Sequence, residues 1–266
     1  MTPERRKIPD WAQRERQADL GWIAENLDVF SAVASAAFED EGRGAIVVDT
    51  TLEPIPGAGN PFAYFPQEQI EEQDDEDNVI PMLDGDWFPD DVSERFKQFL
   101  RVTFGEEHYE ENLAFIEAAI GRDVRGYFLR DFYGDHVKRY SKRPIYWLFS
   151  SPDGSFNALV YMHRYRPDTV SVVLNDYLRE FRTKLEARRR HLEHVERSGE
   201  TTQRDKTQAV KEITRIDKIL NELRAYEDQV LYPLATQQVD LDLDDGVKVN
   251  YNKLGQALAH VRGLSG

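Results

Sequence analysis

Lys142-Arg-Pro-Ile-Tyr-Trp-Leu-Phe-Ser-Ser-Pro-Asp-Gly-Ser-Phe-Asn-Ala-Leu-Val-Tyr-Met-His-Arg-Tyr-Arg-Pro-Asp168 is the stretch that decides how this 266-residue chain is read. Ile145, Trp147 and Phe149 alternate with Tyr146, Leu148 and Ser150, which is the period of a strand. Phe156 to His163 is extended in character again. Between them, Ser151-Pro-Asp-Gly154 suits a type I turn closed by a glycine bulge. The spacing therefore predicts a β-hairpin near 144–163. Both of its faces are bulky, so it is expected to be covered on both sides.

Downstream, the period changes to that of a helix. Asp168, after Pro167, is placed to cap it. Leu174, Leu178, Phe181, Leu185, Leu192 and Val195 form one apolar stripe, and Ser198-Gly-Glu-Thr-Thr202 breaks it. Val210, Ile213, Ile216, Leu220, Leu223, Tyr226 and Val230 form the returning stripe, which Pro233 is expected to stop. Two long stripes joined by a short polar turn predict an antiparallel helical hairpin over 168–230. The tail alternates Asp with Leu or Val from Val239, turns at Asp245-Gly246, and presents Asn250-Tyr-Asn252 before a last short helix.

Upstream, Phe88-Pro-Asp-Asp91 reads as a turn into a helix carrying Val92, Phe96, Phe99 and Leu100. Leu113, Phe115, Ile116 and Ile120 mark a second helix over 111–120. A third, over 124–140, interleaves Tyr127, Phe128, Phe132 and Tyr133 with basic residues. Residues 11–41 have helical spacing and Ala45-Ile-Val-Val48 reads as a strand. The prolines of 51–66 mark a loop and 68–77 an acidic linker. The expected fold class is α+β, mostly helical. The expected organisation is an N-terminal helix–strand segment with an acidic linker (1–79) and a second domain (80–266).

Charge and composition exclude several classes of function. The chain has no cysteine, which removes disulfide scaffolds, thiolate metal sites and cysteine nucleophiles together. No apolar run approaches the ~18 residues of a membrane helix, and the N-terminus lacks a signal core, so a cytoplasmic protein with no membrane partner is expected. There is no phosphate-binding G-x-x-x-x-G-K loop and no G-x-S-x-G elbow. Asn60-Pro-Phe-Ala63 puts alanine where an amino-methyltransferase motif needs an aromatic ring to stack on a flipped base. His191 and His194, one helical turn apart among arginines, read as a solvated pair. Asp240-x-Asp242-x-Asp244-Asp-Gly246 resembles the start of a calcium loop, but Tyr251 stands where a bidentate Glu is needed.

The net charge of −15 is unevenly placed: residues 60–111 carry −13, whereas residues 122–190 carry +7. The basic part mixes cations with rings: Lys142, Arg143, Tyr146, then His163, Arg164 and Arg166. Cations bind phosphate and planar groups stack on or reach bases, so this mixture suits nucleic acid. The alternative is that Tyr146 and Trp147 are core and the cations surface decoration.

Several strings carry a family resemblance. They are Phe104-Gly-Glu-Glu107, Glu111-Asn-Leu-Ala-Phe-Ile-Glu117, Tyr127-Phe-Leu-Arg-Asp-Phe-Tyr133 and Asp135-His136. Lys142-Arg-Pro-Ile-Tyr-Trp-Leu-Phe149, Ala158-Leu-Val-Tyr-Met-His-Arg-Tyr165, Pro167-Asp-Thr169 and Asp242-Leu-Asp-Asp-Gly-Val-Lys-Val-Asn-Tyr251 come next, in order. Together, over about 80–260, they resemble the C-terminal part of the adenine-specific DNA methyltransferases of BREX phage defence, the PglX family. That resemblance implies a target-recognition and helical region that in the family accompanies a methyltransferase domain using S-adenosylmethionine to methylate adenine N6. Neither the cofactor's glycine turn nor the catalytic motif is present, so no catalytic residue and no cofactor is assigned to this chain. The resemblance implies a non-catalytic DNA-recognition or assembly module, with Lys142, Arg143, Tyr146, His163, Arg164 and Arg166 toward double-stranded DNA. Its other expected partner is a methyltransferase-domain or other phage-defence subunit. The alternatives are a protein-interaction or DNA-mimicking regulatory subunit of the same system, and a fragment of an intact adenine N6 methyltransferase.

Overall fold

The computed structural model describes residues 78–266 except 105, 200, 243 and 244. The helix expected over 11–41, the strand at 45–48, the loop over 51–66 and the acidic linker lie outside the described residues. Among the described residues two compact units are present, one containing 92–138 and the other 78–91 with 139–266.

In the first unit, α1 (Val92–Phe104) and α2 (Tyr109–Ile120) follow the expected helices. Val92, Phe96 and Leu100 are buried along one side of α1, one turn apart. Gly121, in the left-handed region at φ 71°, ends α2 and donates its amide to Glu117. Asp123 then caps α3 (Val124–Tyr127), its carboxylate accepting the amide of Gly126 at 3.1 Å. A π-helical turn, Phe128–Phe132, leads into α4 (Tyr133–Arg139). The wider turn lets Phe128 and Phe132 both be fully buried, with their rings 5.1 Å apart, and Phe128 meets Phe96 edge-on at 5.9 Å. In α2 the buried residues include Asn112, while Leu113 is only half-buried.

The second unit is built on a three-stranded antiparallel sheet in the order β1-β3-β2: β1 (Val79–Pro81), β2 (Tyr146–Ser150) and β3 (Asn157–Tyr161). The hairpin stands where the alternation put it. The amide of Gly154 donates to the carbonyl of Ser151 at 2.9 Å, and Gly154 has the positive φ of 72° that the turn requires. β1 was not legible. It is three residues long, too short to show a period, and Pro81 argues against a strand except at an edge, which is where β1 lies. The free side of β2 is covered by the C-terminal segment: Phe149 bridges to Leu258, and the Ala259 amide donates to Leu148 at 2.8 Å.

The helical hairpin is also present. Short α5 (Thr169–Val172) and a π-helical turn (Val173–Leu178) lead into α6 (Arg179–Arg197). α7 (Gln203–Tyr226) returns, its N-terminus capped by Thr202, whose hydroxyl accepts the Asp205 amide at 3.2 Å. Phe181, Leu185, Leu192, Ile216, Leu220 and Leu223 are buried in the seam as expected. Val210 is not: it is 44% exposed and Ala209 takes the buried place, one residue earlier on the helix.

Two local expectations are corrected. Asp168 makes no capping hydrogen bond, because Arg166 holds its carboxylate. Pro233 does not stop the helix: a third π-helical turn (Glu227–Leu231) comes after α7, and the helical backbone continues through it into α8 (Tyr232–Gln237), with Pro233 in the first turn of α8. Asn250-Tyr-Asn252 lies inside a helix, α9 (Val247–Leu254), and the last short helix that follows it is a 3-10 turn, Gly255–Ala257.

Leu220, 3% exposed, sits in the middle of the returning stripe. Truncating a buried leucine to alanine typically costs ~2–5 kcal/mol. Leu220→Ala is expected to lower the midpoint of chemical denaturation accordingly; a midpoint equal to that of the parent would show the seam to be misassigned.

Candidate nucleic-acid interface

The register of the β-hairpin builds the site. Tyr146 opposes Tyr161, and the Met162 amide donates to the Ile145 carbonyl at 2.9 Å. The residues just before β2 and just after β3 therefore meet at one end of the sheet, opposite the Ser151–Gly154 turn. Lys142 and Arg143 come from the first segment, and His163, Arg164 and Arg166 from the second. All five are exposed.

The first segment is a strained turn. The Arg143 amide donates to the Tyr140 carbonyl at 2.9 Å, and the two residues between, Ser141 and Lys142, have φ of 50° and 63°. Two successive left-handed residues are the pattern of a type I′ turn, which normally selects Asn or Gly. A side chain with a Cβ costs roughly 1–2 kcal/mol in that conformation. Here the conformation carries the Lys142 side chain across Gly263, where a Cβ would stand 3.0 Å from Lys142 Nζ. Beyond the turn, Pro144 is buried and its carbonyl accepts from the Trp147 indole at 3.0 Å, which anchors the segment to the core.

The second segment is a 3-10 turn, Met162–Arg164, held inward by buried Met162. Tyr165 donates its hydroxyl to the Val239 carbonyl at 2.9 Å. Burial, with Asp240 and Asp168 adding to it, pushes the Tyr165 phenol well above its ordinary pKa, so it stays a neutral donor. Arg166 forks onto Asp168 at 3.0 and 3.2 Å. Its charge is thus already partly offset, whereas among the described residues no ion pair involves Lys142 or Arg143.

Tyr146 stands apart from the other five. It is 1% exposed, and its ring lies 5.1 Å from that of Tyr161. In this conformation it supports the surface from within. The ring nearer the surface is half-buried Tyr161, which also meets exposed His163 at 5.3 Å. The sequence signal for Tyr161 was its place opposite Tyr146 once the hairpin was closed. The end of the sheet thus combines compact cations with a short ladder of rings, which is chemistry for phosphate contact and base stacking.

Other candidates are weaker. Among the described residues no group of three or more His, Asp or Glu is arranged to hold a metal. The Asn250 side-chain amide bonds the Asp242 carbonyl within the acidic turn. A cleft of about 650 Å³ runs beside Tyr226 and Tyr251, but both hydroxyls already donate at 2.6 Å, to Ala257 and Ala259. No described helix is long and apolar enough to cross a membrane.

No protein-family model matches the chain. It is 38% identical over 207 residues to the adenine-specific methyltransferase BrxX of Escherichia coli O9:H4 (strain HS), covering 72% of this chain and 17% of that protein. It is 43% identical over 188 residues to the adenine-specific methyltransferase PglX of Lacticaseibacillus casei (strain Zhang), covering 66% of this chain and 16% of that protein. These proteins are homologues of this chain. The chain spans about a sixth of the length of each BrxX/PglX relative.

The strained turn is testable apart from any partner. Ser141→Gly removes the Cβ penalty at one left-handed position but adds glycine's backbone entropy, so it should leave stability unchanged or raise it by up to about 1 kcal/mol. Urea denaturation measures this; a clear loss of stability would contradict the turn.

Proposed function

We propose that this chain is a non-catalytic DNA-recognition or assembly module of an adenine-specific DNA methylation system of the BREX phage-defence type. One observation carries the proposal. The β2–β3 register joins Lys142 and Arg143 to His163, Arg164 and Arg166 at one exposed end of the sheet. The similarity to adenine-specific methyltransferases supplies the context, and the same stretch inside those longer relatives would serve the same purpose. In this reading S-adenosylmethionine and the methyl-transfer residues belong to a methyltransferase domain or subunit with which the module works. Tyr161 and His163 give the surface planar groups, and the cations give it affinity.

A second reading is a protein-interaction or DNA-mimicking regulatory subunit of the same system. The net charge of −13 over residues 60–111 favours it, since a dense acidic stretch can occupy a partner's phosphate-binding surface.

Salt titration of duplex-DNA binding separates the two. Under the recognition reading the logarithm of affinity falls linearly with the logarithm of salt, with a slope of about −0.9 per phosphate neutralised. Lys142→Ala and Arg143→Ala should each reduce that slope by about 1 and weaken all sequences alike. Arg166→Ala should change it less, because Asp168 already offsets that charge. Absence of binding above background at low salt, by the chain alone and with a methyltransferase partner, would overturn recognition and favour the interaction subunit.

A further inference from the structure

We propose that the helical hairpin carries a second phosphate-contacting surface, along the outer side of α7. The proposal rests on the DNA-recognition reading and extends it to a region that reading does not use. Arg204, Gln208, Lys211, Arg215 and Lys218 recur at intervals of four, three, four and three residues, and all are exposed. At 100° per residue they share one sector of the helix. That sector faces away from the seam formed by Ala209, Ile216, Leu220 and Leu223. From Arg204 to Lys218 the stripe is about 21 Å long at 1.5 Å per residue. No acidic residue interrupts it; the next position on the same side is Glu222, whose carboxylate accepts the Asp153 amide at 2.9 Å. The stripe thus ends where α7 meets the β-hairpin turn.

Charge pairing elsewhere on the helical hairpin makes this stripe stand out. Arg189 pairs with Asp217 at 2.6 Å and with Glu193 at 3.0 Å, and Arg224 with Glu186 at 3.4 Å. Arg179 and Arg182 both hold Glu227. On the stripe itself Arg215 pairs with Asp84 at 2.8 Å and with Glu212 of the same helix at 3.7 Å, but among the described residues no ion pair involves Arg204, Lys211 or Lys218. Lys211 lies four residues before Arg215 and Lys218 three after it, spacings at which like charges repel, although the pairing of Arg215 with Asp84 and Glu212 reduces that repulsion. A polyanion laid along the helix reverses the sign of that interaction. A single-sign row of cations on one helix side is the footprint of backbone contact, and it carries no base readout. The partner it fits is the phosphate backbone of duplex DNA. The end of the sheet then supplies contacts that involve rings, and α7 supplies sequence-independent affinity.

The test is a salt titration of the full chain against a 20-base-pair duplex, for the parent, for Lys142→Gln with Arg143→Gln, and for Arg204→Gln with Lys211→Gln and Lys218→Gln. Arg215 is left in place because it anchors Asp84. Circular dichroism and thermal unfolding of each variant establish that the fold is kept; a single Lys211→Gln variant serves if the triple variant is not folded. The triple variant is expected to reduce the log–log slope by roughly 2–3, and Lys211→Gln alone by about 1. The loss should be equal on unrelated duplex sequences. If the sheet-end variant weakens binding while the α7 variants match the parent in affinity and slope, the α7 surface is overturned and the recognition reading stands. If the parent does not bind duplex DNA, both fall. If the α7 variants keep DNA affinity but lose capture of an acidic protein subunit of the system, the stripe is a protein-docking surface and the proposal is overturned.

Discussion

The second unit depends on one strand. β3 is paired on both sides, with β1 and with β2, and Ala158, Leu159 and Val160 at its centre are fully buried. A shift of one residue in its pairing would turn every side chain of the strand to the other face of the sheet. With both faces buried, that shift is strongly opposed. The same register that satisfies the core brings Ile145 beside Met162, and hence Lys142 and Arg143 beside His163, Arg164 and Arg166. The basic end of the sheet is therefore a consequence of core packing. It does not need its like charges to attract one another, and the core bears the repulsion between them.

The helical part is fastened at its base by a different device. Glu227, almost fully buried, accepts from Arg179 at 2.7 Å and from Arg182, and it lies in the π-helical turn at the end of α7. Burying one carboxylate is tolerable only with such partners. Both ends of the seam near the sheet carry π-helical turns, 173–178 and 227–231. Each inserts extra backbone into a helix and re-aims the next helical segment. Leu174, Tyr177 and Leu178 are buried in the first, and Leu231 in the second, so the added width is filled by core side chains.

Much of this was legible in the sequence, for definite reasons. The β-hairpin showed because aromatic and aliphatic residues alternated on each side of a Pro-Asp-Gly turn. The helical hairpin showed because two apolar stripes of helical period flanked a polar break. β1 did not show, since three residues have no period and Pro81 is tolerated only at an edge. The π-helical turns were invisible too, because one extra residue in a helix is indistinguishable from a small drift of the stripe; this is why Pro233 looked like a stop. At the candidate site, charge clustering pointed to the cations but could not sort rings by depth. Tyr146 and Tyr161 look alike in composition, and only the pairing showed one to be buried and the other half-buried. The α7 stripe lay outside the basic stretch 122–190, because Asp205, Glu212, Asp217 and Glu222 dilute its net charge along the chain while lying outside its sector or at its end.

The chain as a whole is acidic, so any attraction for DNA must be local and short in range, within a Debye length of about 8–10 Å at ordinary salt. That places the weight of the account on where contact occurs. Hydrogen exchange of the full chain with and without a saturating duplex reads this residue by residue. The account predicts slowed exchange at the amides of 140–143 and 161–166, with the buried amides of 158–160 unchanged because they are already protected. Binding of the duplex with no change at 140–143 and 161–166 would contradict it.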